Sequence, residues 1–206
     1  MAIVQIGSQY WTKENLAVES FQNGTAITEC SSSEQWVTLA ANNTPAWCYY
    51  NFDPSHEEEY GKLYNFHAVT SANQLAPAGY RIPTTADWDT LIAGLGGELA
   101  AGHKLKNTKN WETLRRVSGN GDNQSSFTGN PGGYIKENGQ FWDFGWSSNY
   151  WTSVSSSTND STSVRLYWSN KNAIKLDAPK DMGLSVRLIA SGSFTGSLSD
   201  IPGSDF

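Results

Sequence analysis

Few residues of this chain could move protons, transfer groups or hold metals, and they stand apart from one another. Its three histidines are His56, His67 and His103, and its two cysteines are Cys30 and Cys48. His56 precedes Glu57-Glu58-Glu59 and reads as part of a solvated acidic turn, with a weak cation contact as the other reading. His67 lies in an aromatic, strand-like run and reads as a hydrogen-bonded core residue. A hydrolase needs paired acids, or a nucleophile beside a positioned base, and neither pattern occurs. Serine is plentiful, but no Gly-x-Ser-x-Gly elbow is present. There is no phosphate loop and no dinucleotide fingerprint. Two cysteines without Cys-x-x-Cys or His-x-x-His neighbours make no zinc site. They could close a short loop, which spacing alone does not decide. Calcium asks for several carboxylate and amide oxygens together, whereas Asn51-Phe52-Asp53 and Asp143 offer scattered ones. The expectation is no enzyme, no cofactor and no metal.

Recognition chemistry is better represented. Between Gln140 and Asp181 stand Trp142, Phe144, Trp146, Tyr150, Trp151, Tyr167 and Trp168, interleaved with Ser, Asn, Asp and Lys. Tyr and Trp give large contact area at low entropic cost, and Ser and Asn adapt their hydrogen bonds. Trp151 and Trp168 read as core. The expected binding residues are Trp146, Asn149, Tyr150, Arg165, Tyr167, Asn170 and Asn172.

The elements that must position them follow from pattern. Ile3 to Ile6 reads as a strand, and Asn23-Gly24 as a tight turn. Ser31-Ser32-Ser33-Glu34-Gln35 opens a helix that runs to about Ala41. Trp47 to Phe52 reads as a strand. Thr84 caps a second helix with Asp87 in its first turn. Trp88, Leu91, Ile92 and Leu95 follow at helical spacing until Gly96-Gly97. A third short helix covers Leu99 to Leu105. Later strands are expected near Gly133–Ile135, Trp151–Val154, Val164–Trp168, Ala173–Leu176 and Leu184–Ile189. Val164, Leu166 and Trp168 should face one side, with Ser163, Arg165 and Tyr167 on the other. The fold class is α+β: short twisted antiparallel sheets, two to three short helices and long Gly/Asn-rich loops. One domain is expected over residues 1–189, with a Gly/Ser-rich flexible or anchoring tail over 190–206.

Composition narrows the partners. A chain of 206 residues with nine Trp, nine Tyr and eight Phe can bury a sizeable core. A net charge of -6 argues against nucleic acid, whose binders cluster Lys and Arg. No apolar run approaches a membrane span, and Met1 to Tyr10 lacks the pattern of a secretory leader. That favours a cytosolic protein, one assembled into a particle there, or one whose leader has been removed.

An ordered series of motifs carries a family resemblance. It begins with Ile6-Gly7-Ser8-Gln9-Tyr10-Trp11, Glu14-Asn15-Leu16 and Trp47-Cys48-Tyr49-Tyr50-Asn51. It continues through Gly61 to Val69, Leu75 to Thr84, Trp88, Gly96-Gly97 and Gly102 to Lys106. Pro131-Gly132-Gly133-Tyr134, Tyr150-Trp151-Thr152-Ser153 and Gly183 to Leu188 complete it. From about Ile3 to Leu188 the chain resembles the Fibrobacter succinogenes major paralogous domain. That resemblance implies a C-type-lectin-like fold related to formylglycine-generating-enzyme-like domains and to the variable proteins of diversity-generating retroelements. The oxidase relatives need a reactive cysteine pair in the C-terminal part, which this chain lacks. The resemblance therefore implies a non-catalytic module that binds a cell-surface glycan or protein. The expected setting is a phage virion, as a tail or fibre receptor-binding protein, or a retroelement-diversified binder. A structural virion protein and a secreted bacterial surface adhesin are the alternatives. Homo-oligomerisation or virion attachment would run through the C-terminal tail.

Overall fold

The computed structural model describes residues 1–191. Its strands are β1 (Ile3–Ile6), β2 (Gln9–Thr12), β3 (Thr28–Glu29), β4 (Ala46–Cys48), β5 (Leu63–Asn65), β6 (Tyr80–Arg81), β7 (Thr113–Leu114), β8 (Val117–Ser118), β9 (Gly132–Ile135), β10 (Phe141–Phe144), β11 (Ser147–Ser155), β12 (Asp160–Tyr167), β13 (Ala173–Pro179), β14 (Gly183–Leu184) and β15 (Ile189–Ala190). Its α-helices are α1 (Ser33–Ala41), α2 (Glu57–Tyr60), α3 (Phe66–Val69), α4 (Thr85–Gly94) and α5 (Glu98–Leu105). The protein is an α+β domain. The large sheet runs β13-β12-β11-β9-β14-β5-β4-β3, with β10 paired to β9. A four-stranded sheet runs β1-β2-β15-β6, and β7 and β8 form a hairpin.

Helices α1, α3 and α4 form where capping chemistry marks them. The Ser32 side chain accepts from the Gln35 amide, and the Gln35 side-chain oxygen accepts from the Ser31 amide. At α4 the Thr84 hydroxyl accepts from the Asp87 amide, and an Asp87 carboxylate oxygen accepts from the Thr84 amide. Two donors otherwise left open at the helix start are thereby satisfied. Trp88, Leu91 and Ile92 point inward from α4. With Ala101 and Leu105 of α5 they pack on Tyr150, Val164, Leu166 and Ala173 of the large sheet. Gly102 lets α5 approach: a Cβ there would lie 2.0 Å from the Asn172 carbonyl oxygen.

Two strand expectations change. The strand from Trp47 stops at Cys48, because Asn51 and Phe52 take φ of 55° and 57° and turn the chain into a short 3-10 segment. The stretch Leu184 to Ile189 is not one strand. Gly183 and Leu184 pair in the large sheet, whereas Ile189 and Ala190 pair in the small one. Between them Val186, Arg187 and Leu188 cross the core, all buried. The Arg187 guanidinium makes this crossing tolerable. It donates to the carbonyl oxygens of Thr12, Phe127 and Thr128 and to the Asn15 side chain, as a buried charge requires. Ala190 belongs to β15, and Ser191 donates to the Gly79 carbonyl. The remainder of the expected tail lies outside the described residues.

Candidate functional site

Strand register decides which of the expected binding residues can act together. Antiparallel pairing sets Asn149 opposite Arg165 and Ser147 opposite Tyr167, and sets Arg165 opposite Ile174 and Ser163 opposite Leu176. Residues directly opposite share a face, so Asn149, Arg165, Tyr167, Ile174 and Leu176 lie on one side. The sheet continues through β9, where Ser148 is paired in parallel with Gly133, which brings Tyr134 onto the same side. From β9 it passes to β10, where Trp142 stands opposite Tyr134. The result is one stripe across five strands. Four interstrand steps of about 4.8 Å make it roughly 19 Å wide.

This stripe is open in the way a contact surface must be. Trp142 is 46 % exposed and Leu176 36 %, and Tyr134, Arg165, Tyr167 and Ile174 are half-buried. Two cations lie against two of its aromatic rings. Lys136 Nζ sits 4.2 Å from the Trp142 ring centre, and the Arg165 guanidinium 5.4 Å from that of Tyr167. Among the described residues, neither cation takes part in an ion pair. Among the described residues the Arg165 Nε is buried without a hydrogen-bond acceptor, and a desolvated N–H left open costs on the order of 1–3 kcal/mol. Burial pushes the Tyr134 phenol up, with the Asp143 carboxylate adding to the shift and the Arg165 charge opposing it. Tyr134 therefore stays a neutral donor at the middle of the stripe.

The backbone beneath is closely packed and tied by hydrogen bonds. Gly133 takes φ of 64°, and a Cβ there would meet the Trp142 carbonyl oxygen at 2.4 Å, so glycine is what allows β10 to lie this close. At the other end Lys106 is buried and donates to the carbonyl oxygens of Tyr167, Trp168 and Asn170, at 3.2, 3.4 and 2.9 Å. Burial lowers its pKa to about 8. The turn that carries Asn170 and Asn172 is thus tied down from inside. The Asn170 side chain also accepts from the Asn172 amide.

Not all the expected residues reach this face. Tyr150 does not: it follows Asn149 on a strand, and successive strand residues point to opposite faces. It is fully buried, with ring centres 5.5 Å from Trp88 and 5.6 Å from Phe127. Asn149 has the right side but is 7 % exposed. Its amide donates to the Ser147 hydroxyl at 2.7 Å, and its carbonyl accepts from Ser185. It supports the stripe from below. Trp146 is half-buried and meets Trp168 edge-on at 5.0 Å. By alternation this pair belongs to the Tyr150 side, at the sheet's margin. Asn170 is exposed and Asn172 half-buried. Arg165, Tyr167 and Asn170 are the part of the expected set that remains available together with their turn. Tyr134, Lys136 and Leu176 were missed. A period-2 reading of the segments around Tyr134 and Trp142 held the signal, but without register nothing tied β9 and β10 to β12.

A second concavity, a polar cleft of about 540 Å³, is bordered by Lys13, Glu14, Glu58, Asn107, Lys109 and Arg187. Much of its chemistry is committed internally. Arg187 is spent on the core carbonyls and Asn15 as above. Glu57 accepts from the Tyr49 hydroxyl and pairs with Lys62, and Glu59 pairs with Lys109. The histidines meet a backbone carbonyl and two aspartates. His56 Nδ1 lies 2.9 Å from the Tyr50 carbonyl, His67 Nε2 lies 3.0 Å from Asp181, and His103 lies 3.7 Å from Asp122. Among the described residues, no group of three or more His, Cys, Asp or Glu is placed to hold a metal ion. No helix among them is long and apolar enough to cross a membrane.

Fold and face together define an α+β domain whose largest sheet leaves one end of one side open. The family model described as the Fibrobacter succinogenes major domain matches residues 4–190, and the chain belongs to that family. Comparison with curated proteins and with solved structures gives no match.

Proposed function

We propose that this domain is a non-catalytic recognition module that binds a cell-surface glycan or protein through the stripe formed by Trp142, Tyr134, Arg165, Tyr167 and Leu176. The observation that carries this reading is Arg165: a guanidinium laid on Tyr167 that, among the described residues, has no carboxylate partner. Planar guanidinium groups held in place favour paired acceptors such as a carboxylate. The flanking rings supply apolar contact that costs little entropy on binding. Display on a phage virion, as a receptor-binding or retroelement-diversified protein, is the setting we favour. The sequence resemblance supports it, as does a surface built on strands rather than on a deep pocket.

The test compares the full chain with its Arg165→Ala/Tyr167→Ala variant. Binding is read on a glycan array and on whole bacterial cells, and folding by thermal denaturation. Truncating a central interface residue costs about 2 kcal/mol, roughly 30-fold in affinity. The double variant should lose at least that much binding while its melting temperature stays within a few degrees. Unchanged binding by a folded variant would move recognition elsewhere on the molecule.

A further inference from the structure

We propose that Cys30 and Cys48 form a built-in cross-linking site, which closes to an intramolecular disulfide when a small disulfide oxidant reaches it. Strands β3 and β4 run parallel, with Thr28 opposite Ala46 and Glu29 opposite Trp47. The Cys30 amide continues the ladder by donating to the Trp47 carbonyl at 2.8 Å. One step further along, Cys30 faces Cys48. Neighbouring strands lie about 4.8 Å apart, and disulfides span Cα separations of roughly 4.4–6.8 Å. Residues opposite one another in a ladder project to the same side, and both cysteines do enter one apolar cluster, with Trp36, Ala46, Leu63 and Ile135. Both thiols are free. Among the described residues no third His, Cys, Asp or Glu joins the pair in a group that could hold a metal ion.

Position also orders the chemistry. Cys30 directly follows β3, a two-residue strand at the margin of the large sheet whose own residues are exposed. Cys48 ends an interior strand and is fully buried. Local opening at a sheet edge is cheaper than opening its interior, so Cys30 meets the oxidant first. Burial raises both thiols, Cys48 well above its ordinary value, whereas a backbone hydrogen bond with Ser32 partly offsets the shift at Cys30. The Cys30 thiolate attacks one sulfur of the oxidant RSSR, forming a mixed disulfide and expelling one thiolate. Cys48, deprotonated as the edge opens, then attacks Cys30 Sγ and expels the second. Two protein thiols and one RSSR become one protein disulfide and two RSH, so the two thiol protons end on the released thiols. The bond closes a loop of about 18 residues around α1 and fastens the edge strand to its neighbour, which constrains the unfolded chain.

The experiment uses the full chain purified in reductant and then freed of it. One arm incubates the folded protein with oxidised glutathione. The other refolds it from urea in mixed oxidised and reduced glutathione. Thiols are alkylated under denaturing conditions and counted by intact mass, with peptide mapping without reduction. The expected result in either arm is loss of both thiols and a linked Cys30–Cys48 peptide in monomeric protein. The melting temperature should rise by roughly 5–10 °C and fall back on adding dithiothreitol. The Cys48→Ser variant should stop at a Cys30–glutathione adduct. If that variant fails to fold, the wild-type peptide map decides alone. Two alkylatable thiols after both arms, or cross-links only between chains, would overturn the proposal.

Discussion

The two sides of the β11–β13 sheet are built from alternate residues of the same strands, yet they end in opposite states. One side carries Tyr150, Val164, Leu166 and Ala173, and α4 and α5 close over these four residues, which are fully buried. The other side is closed only at one end. There Trp151 is buried against Phe66, ring centres 5.2 Å apart, and Ala178 joins the same cluster. Towards Arg165 and Tyr167 no helix of the described residues arrives, and among those residues the surface stays half open. Sealing is therefore a property of what packs above the sheet, while the strand itself decides only which residues share a fate. One side is packed beneath α4 and α5, and the other gives the core only its Trp151 and Ala178 end.

The largest expected effect tests that division. Replacing Tyr150 with Ala removes a ring enclosed by Trp88 and Phe127. Emptying such a site costs about 3–5 kcal/mol. Tyr167→Ala, on the same pair of strands but the other side, should cost less than about 1 kcal/mol. Urea denaturation of the two variants reads the contrast directly. Equal losses would mean that the open face contributes to the core after all, and the comparison would break.

A smaller effect sharpens it by loosening the lid. Asp87 accepts from the Thr84 amide and hydroxyl at the head of α4 and pairs with Arg81. Burial alone would raise its carboxyl, but the bonds from Arg81 and Thr84 outweigh burial and hold its pKa at about 2, against an ordinary 3.8. The unfolded chain takes up this proton first as pH falls. The stabilisation is thus complete above about pH 4 and is lost as the pH drops through 2. The full linkage of such a shift is a little over 2 kcal/mol, which partial exposure of the pair reduces to about 1–2 kcal/mol. Asp87→Asn should be destabilised by that amount at pH 7, and the gap from wild type should close only below about pH 2. A gap independent of pH would assign Asp87 a packing role rather than an electrostatic one.

How legible all this was depends on the range of the signal. The α4 helix could be read from Thr84, Asp87 and the spacing of Trp88, Leu91, Ile92 and Leu95, because caps and helical periodicity are local. The alternation of Val164 and Leu166 against Arg165 and Tyr167 was equally local, and the structure keeps it. Naming Asn149 and Tyr150 together ignored that same rule, since neighbours on a strand cannot share a surface. The positive φ at Asn51 and Phe52, which ends a strand, leaves no composition signal at a bulky Phe. Arg187 looked like a residue on one face of a strand. Its burial depends on carbonyls from Thr12, Phe127 and Thr128, far away in the chain. The stripe itself was illegible for the same reason: Trp142 and Arg165 share a face only through the pairing of two intervening strands, β9 and β11.

Trp142 marks the outer limit of the comparison and the smallest effect on stability. It stands on β10, which joins the large sheet only through β9. Nearly half its surface is already in water, and one ring face is taken by Lys136. Trp142→Ala should therefore change the unfolding free energy by no more than about 0.5 kcal/mol, as substitutions away from the core do. If the stripe binds as one surface, however, removing an exposed aromatic from its edge should weaken the ligand found for Arg165 and Tyr167 by about 1–2 kcal/mol, or roughly tenfold. Affinity measured on the stable variant separates two geometries. A loss places the contact across all five strands. Wild-type affinity would confine it to β11–β13 and the Asn170 turn, leaving Trp142 outside the recognised area.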